Sequence, residues 1–472
     1  MIGRFDLVEY VARSTPFVAG CRATRSTLGS CLPQVSSSDD KHGEVSSLRS
    51  LRWMLAARTA PLSLAMLILL TAVDVVPAAA APLLPRLPRH CRGVDVGPSD
   101  DLQAMIDNHP RGTTFCFRRG TYELSRTIST GSKRPLLDLR SGAIFDGRRG
   151  GFVGIQGGGA VDGRGTVILG GIFQHFGNAN GPSWISSIVM NDRWVVRGTE
   201  FRDNFNTGLT IQGSGARVTG IHTHHNGRYG LVVTASCEDC PGPRNVVIQR
   251  SEIEFNNTRK LPTLEDAGGT KFSGGPKGMI VRRNEVHDNF GSGLWWDTVS
   301  QDARVYNNVI YDNRNWGIFW EASYGGAKIH DNTLINNGVG DGTLDWGANV
   351  QLLVSNSDGS IGGGIEIYDN RISGTAIPIG LLNHTEGMPG TTHVYIHHNV
   401  MTLRANSTLV GGNIYFGDPG LFSPEANNRF EHNAYHVRDR DGSYWKWDGS
   451  THTWHEWQAI GHDEDGTLRL ID

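Results

Sequence analysis

Asp297 and Glu321 hold matching places in a repeated pattern, and Lys271 stands in the adjoining column of the repeat before them. They fall in Gly269-TKFS, Gly293-LWWD and Gly317-IFWE, and Asp297 and Glu321 are 24 residues apart. If each glycine opens a strand, residues one and three after it point to one side and residues two and four to the other. Lys271, Trp295 and Phe319 then form one outward column, and Ser273, Asp297 and Glu321 form the next. Neighbouring strands lie about 4.8 Å apart, so Asp297 and Glu321 face each other across one step with Lys271 diagonally opposite. Two adjacent carboxylates repel. Their pKa values are driven apart, which suits one as proton donor and the other as base or nucleophile.

Around this trio the same phasing gathers candidate contacts. Trp295 and Phe319 would offer ring faces, and Asn349 and Gln351 would extend the polar columns in the next repeat. Glu265 and Asp266 close a long loop at the rim, where they would bind substrate hydroxyls or a calcium ion. Trp296 and Trp320 have the opposite parity and are read as core. The adjacent pairs His224/His225 and His397/His398 lack metal-ligand spacing and read as turn positions.

What must position these residues is a solenoid. Val281/Val305/Ile329, Val286/Ile310/Leu334, Asn284/Asn308/Asn332 and Asn289/Asn313/Asn337 all keep the 24-residue step. A period in the twenties, rich in β-branched residues and asparagine, fits one coil of a parallel β-solenoid. Each coil buries its alternate apolar residues, and asparagines at the turns can stack into amide ladders. The phase continues upstream through Ile248, Ile253, Asn256, Asn226 and Asn204, and downstream through Ile367–Ile372 and Ile396–Met401. Roughly ten coils fit between about residues 130 and 430.

The organisation expected is a doubtful leader over 1–51, a signal peptide over 52–81, a cap and first strands over 82–130, the β-helix over 131–435, and a Trp-rich cap over 436–472. Arg52 and Arg58 precede the apolar run Leu62–Val73, and small residues Ala78–Ala81 follow, as in an export signal. That run is shorter than the roughly twenty residues of a membrane span, so the mature chain is expected to be secreted, without a stable span, and starting translation at Met54. An uncleaved signal anchor is the rival. Four cysteines remain beyond the leader. Cys91 and Cys116 flank a helix with Ser99 as its N-cap, and a bridge there would pin a cap over the open end of the solenoid. Cys237 and Cys240 are expected to form a loop disulfide; a zinc half-site is the rival, but no second CxxC accompanies it. The Trp-rich segment Tyr444–Gln458 reads as an aromatic lid over the last coil or as a small sugar-contacting patch. Net charge is −3 with no basic block, which argues against a nucleic-acid partner; a monomer is expected.

The repeats Asn284-EVHDNFGSGL and Asn308-VIYDNRNWGI, with the opening Asp101-LQAMID and Gly112-TTFCFRRGTY, resemble those of the pectin-lyase-like superfamily. The resemblance covers about residues 95–430 and implies an all-β fold, a right-handed single-stranded parallel β-helix with an N-terminal cap helix. It implies a polysaccharide or oligosaccharide ligand and leaves the reaction open, since the superfamily includes lyases, hydrolases, epimerases and adhesins. The motifs of its polygalacturonases, of many of its pectate lyases and of its mannuronan epimerases are not present here.

Three functions are therefore carried forward. In a glycoside hydrolase, Asp297 and Glu321 share acid and base duties while Trp295 and Phe319 stack on a sugar. Carboxyls about 5–5.5 Å apart would retain configuration and about 6.5–9.5 Å would invert it. In a polysaccharide lyase, Lys271 is the base, and Glu265, Asp266 or Asp297 hold calcium; the scarcity of clustered arginines ranks this second. In a non-catalytic glycan-binding or envelope solenoid, the carboxylate face has no deep groove. Calcium is the only cofactor any of these readings invokes.

Overall fold

The computed structural model describes residues 90–158, 163–180, 185–237, 239–264, 266–340, 349–384, 388–403, 410–415 and 419–471. The signal-peptide and start-site expectations, and Glu265, lie outside the described residues.

The described residues from His90 onward belong to one compact unit. Among the described residues, short strands wind into three 13-stranded sheets, each pairing a strand with its equivalent one coil later. Among the described residues the pairings are parallel, apart from the antiparallel hairpin of Trp445–Trp447 with Ser450–His452. The third sheet, starting at Ile128–Ser129, bears the candidate site. Val281, Val305 and Ile329 pair in register in the first sheet, and Val286, Ile310 and Leu334 in the second. All are fully buried. Regularity this strict explains why one periodicity specified so much of the chain: every coil solves the same packing problem against its neighbour.

The asparagines make two ladders. Asn284 Nδ2 donates to Asn308 Oδ1 at 3.0 Å, Asn308 to Asn332 at 2.9 Å, and the series runs through Asn370, Asn399 and Asn433 to Asp463. A second series links Asn204, Asn226, Asn256, Asn289, Asn313 and Asn337. Each ladder asparagine follows a residue with positive φ, such as Asn307 (56°) or Asp312 (51°). That left-handed step turns the chain sharply from one sheet to the next, and Asn and Asp tolerate it better than most residues. The glycine four residues after Asn289 has its own reason. A Cβ on Gly293 would lie 2.7 Å from the carbonyl oxygen of Gly317 and 3.1 Å from Asn313 Nδ2, so the ladder and the strand start need a bare backbone there.

Asn308 makes three of these bonds: its amide donates to Val281 O and Asn332 Oδ1, and its carbonyl accepts from Asn284. Asn308→Ala would strand buried partners above and below and is expected to cost about 1–3 kcal/mol. An unchanged urea midpoint would show that the ladder does not contribute to stability.

At the start of the fold, Cys91 and Cys116 are joined, with Cα atoms 5.7 Å apart. The cap helix spans Leu102–Asn108, and its N-cap is Asp101, whose carboxylate accepts from Ala104 N at 3.1 Å. Ser99 is not the cap, because the first helical residue is Leu102 and a cap must sit immediately before it. Cys237 and Cys240 are joined as a loop disulfide. At the other end Trp445, Trp454 and Trp457 are buried against Phe430 and Tyr435 and close the core, the geometry of a lid. Among the described residues no helix is long and apolar enough to cross a membrane.

Candidate functional site

Gly268–Phe272, Leu294–Trp296, Ile318–Glu321, Val350–Ser355 and Ile377–Asn383 are consecutive rungs of the third sheet. The register Phe272↔Trp296↔Trp320 places Lys271, Asp297 and Glu321 on one side of the sheet. The inward set is as expected: Leu294, Trp296, Ile318 and Trp320 belong to the main core.

The outward side chains converge. Lys271 Nζ lies 3.1 Å from Asp297 Oδ2 and 3.7 Å above the centre of the Trp295 ring. Trp295 Nε1 donates to Glu321 Oε2 at 2.9 Å. Glu321 Oε1 lies 3.5 Å from His384 Nε2, and His384 Nδ1 lies 2.7 Å from Ser355 Oγ. Ser355 Oγ donates to Leu382 O, so it accepts from Nδ1–H and leaves the Nε2 lone pair facing Glu321.

This arrangement divides the charges. Burial pushes the Glu321 carboxyl up to about 8; the neighbouring Asp297 carboxylate adds to the rise, and Lys271 and the Trp295 hydrogen bond oppose it. Burial pushes His384 down to about 4. At neutral pH Glu321 is therefore a carboxylic acid beside a neutral imidazole, and the Asp297 carboxylate is paired with an ammonium.

An open groove of about 540 Å³ adjoins the cluster. Lys271 and Ser273 line one side; Arg228, Tyr229 and Asp266 line it with polar residues of earlier coils such as Gln212 and Thr234. Burial of Tyr229 raises its hydroxyl well above the usual phenol value, with the Asp266 and Asp297 carboxylates contributing, so it is a donor throughout the physiological range.

Four expectations need correction. Trp295 and Phe319 leave the sheet outward but are 0% and 2% exposed, sealed in a second apolar cluster with Trp316, Val350, Leu353, Ile377 and Leu382. They cannot present ring faces to a sugar here; Trp295 instead positions Lys271 and Glu321. Asn349 and Gln351 are buried too, and Gln351 Nε2 is spent on Ser373 O at 3.0 Å. Asp266 is not disposed to hold a metal, because its carboxylate is paired with the Arg228 guanidinium and accepts from Tyr229 OH at 3.3 Å. Asp297 is likewise cation-paired. Calcium, which needs several free oxygen ligands, does not fit these two carboxylates.

His384, Arg228 and Tyr229 escaped the sequence reading. Leu382 pairs with Ser355 in the column of Glu321, and His384 is two residues further on, with outward parity. The alternation would have found it had the insertion after Asn337 not broken the count.

The geometry defines a long parallel β-helix with a polar groove and a charged cluster on one outer sheet. Residues 186–372 match the family described as "Right handed beta helix region", in agreement with the parallel β-helix of the structure. No curated protein matches the chain. Similar solved structures include a complex of XylC with xylose (9% identity, TM-score 0.44, covering 78% of this chain and 82% of that one). The Dettilon tailspike protein (12%, 0.41, 71% and 70%) is another. A third is a mannuronic acid specific polysaccharide family 6 lyase from human gut microbiota (12%, 0.39, 80% and 91%).

Proposed function

We propose that this protein is a secreted glycoside hydrolase in which Glu321 is the proton donor and Asp297 the base or nucleophile. One observation carries the reading: a buried carboxyl raised to about 8 stands beside an ion-paired carboxylate on the adjacent rung, and Lys271, the partner of that carboxylate, lines an open polar groove. Cleaving a glycosidic bond needs such an unlike pair, one group to protonate the leaving oxygen and one to act on the sugar or on water. Trp295 holds one Glu321 oxygen, so a proton on the other is directed. Lys271 balances the charge of Asp297. Neutral His384 faces the acid without taking its proton, since the carboxyl is the weaker acid of the two at these values. The volume of the groove favours an enzyme over a purely structural solenoid.

Elimination from an acidic glycan is the second reading, favoured by Lys271 and Arg228 lining one groove. Against it, the Lys271 ammonium is already engaged by the Asp297 carboxylate at 3.1 Å and by the face of the Trp295 ring at 3.7 Å, so its nitrogen is not directed at a sugar proton. The purified chain should be screened against neutral and uronic polysaccharides, following both new reducing ends and the absorbance of unsaturated sugars. Reducing ends without that absorbance are expected. Lys271→Ala is expected to slow hydrolysis modestly; unsaturated product that this substitution abolishes would replace hydrolysis by elimination.

A further inference from the structure

A second cluster lies on another sheet, away from the residues used above. The second sheet contains the successive strands His222–His224, Glu252–Glu254 and Glu285–His287, in the register His222↔Glu252 and Glu254↔His287. Their middle residues Thr223, Ile253 and Val286 are buried, so the flanking histidines and glutamates point outward. His222 Nε2 lies 2.7 Å from Glu254 Oε1 and 3.9 Å from Glu252 Oε2. One ligand atom from each of the three lies within 4.8 Å of the others.

His287 supplies an independent observation. Its side chain is only 8% exposed, and its Nε2 has no hydrogen-bond partner although it points at Glu252 Oε1 (3.5 Å) and Glu254 Oε2 (3.7 Å). Its Nδ1 lies 2.8 Å from Asp288 Oδ2, which fixes the tautomer with the proton on Nδ1. The Nε2 lone pair then faces two carboxylates, which is repulsive unless a cation lies between them. Among the described residues, the ion pairs of Glu252 and Glu254 are all with imidazoles, so no lysine or arginine fills that role. A carboxylate behind a histidine that offers its other nitrogen is the usual support of a metal-ligating imidazole.

We propose that His222, Glu252, Glu254 and His287 bind a divalent transition-metal ion. Two imidazole nitrogens and two carboxylate oxygens suit zinc or cobalt in four-coordinate geometry and exclude calcium and magnesium, which take oxygen ligands. The ion would tie three rungs together and take the place of the hydrogen bond between His222 Nε2 and Glu254 Oε1. The site is independent of the groove chemistry and of any glycan.

The test is to strip untagged full-length chain with a chelator and titrate it with Co²⁺ at pH 7.5, reading the visible absorption of the bound ion, then to compete with Zn²⁺. One Co²⁺ per chain, displaced by Zn²⁺, is expected, with a zinc-dependent rise in Tm and no response to Ca²⁺. His287→Ala should weaken Co²⁺ binding by at least tenfold, and Glu252→Gln with Glu254→Gln should abolish it. Asp288→Asn should weaken it by about 10–100-fold, the usual effect of losing a carboxylate behind a ligand histidine. Absence of Co²⁺ binding to the unmodified chain would overturn the proposal. Binding that survives in the glutamine double variant would overturn it equally.

Discussion

Glu321→Gln is expected to lower turnover by about 10²–10⁴-fold, the contribution of a positioned proton transfer, and Asp297→Asn to do the same. The two should differ in how activity depends on pH. In the proposed hydrolysis the donor must be protonated, so kcat/KM of the native protein should fall as pH rises through about 8, where the Glu321 carboxyl ionises. The residual activity of Glu321→Gln should lose that alkaline limb, because glutamine has no proton to release. Asp297→Asn removes a neighbouring negative charge that helps hold Glu321 protonated, so its alkaline limb should move to lower pH. Neither side chain packs in the main core, and both variants should fold. Full activity in both variants would remove the hydrolase assignment.

The second large effect is on stability, and it needs no substrate. The folded state holds the Glu321 proton up to about 8, whereas an unfolded chain releases it near the ordinary glutamate value of 4.5. Between these values the folded state binds more protons than the unfolded one, so stability falls as pH rises through that window. The loss is complete above about 8 and is on the order of a few kcal/mol, since a tenfold difference in proton affinity corresponds to about 1.4 kcal/mol. Glutamine matches the protonated acid: its carbonyl can accept from Trp295 Nε1 and its amide can donate to the His384 Nε2 lone pair. Glu321→Gln should therefore match the native protein below the unfolded value of 4.5 and exceed it in Tm at pH 9. Thermal melts of both proteins across that range decide the matter. Parallel curves would mean that Glu321 ionises normally and that the proton-donor role fails with it.

The loss of activity and the gain in alkaline stability have one cause. A carboxyl kept neutral by burial costs the fold stability wherever the solvent would ionise it, and such a cost is common where a group is tuned for chemistry. The same burial explains why the sheet tolerates Asp297 and Glu321 on adjacent rungs: at neutral pH only one of them carries charge.

The repeat pattern was legible because a solenoid turns a long-range fold into a local rule. Asn284, Asn308 and Asn332 sit 24 residues apart because each coil must place an amide over the next, and the ladder bonds at 2.9–3.0 Å follow from that spacing. Alternation along Gly293-LWWD and Gly317-IFWE likewise determined which side of the sheet each residue leaves, and so brought Lys271, Asp297 and Glu321 together. Direction is a property of the strand itself. Depth is not. Trp295 and Phe319 point outward as the alternation requires, yet Trp316, Val350, Leu353, Ile377 and Leu382 cover them, and only the packing of a turn and two later rungs decides that. Distance along the chain also hides partners wherever insertions change the coil length. His384 meets Glu321 from 63 positions away, and His222 meets Glu254 at 2.7 Å across 32. The sequence alone determined the coil, the core parity and the outward columns. The tertiary structure decided which outward residues are sealed from water, and with that which carboxyl keeps its proton.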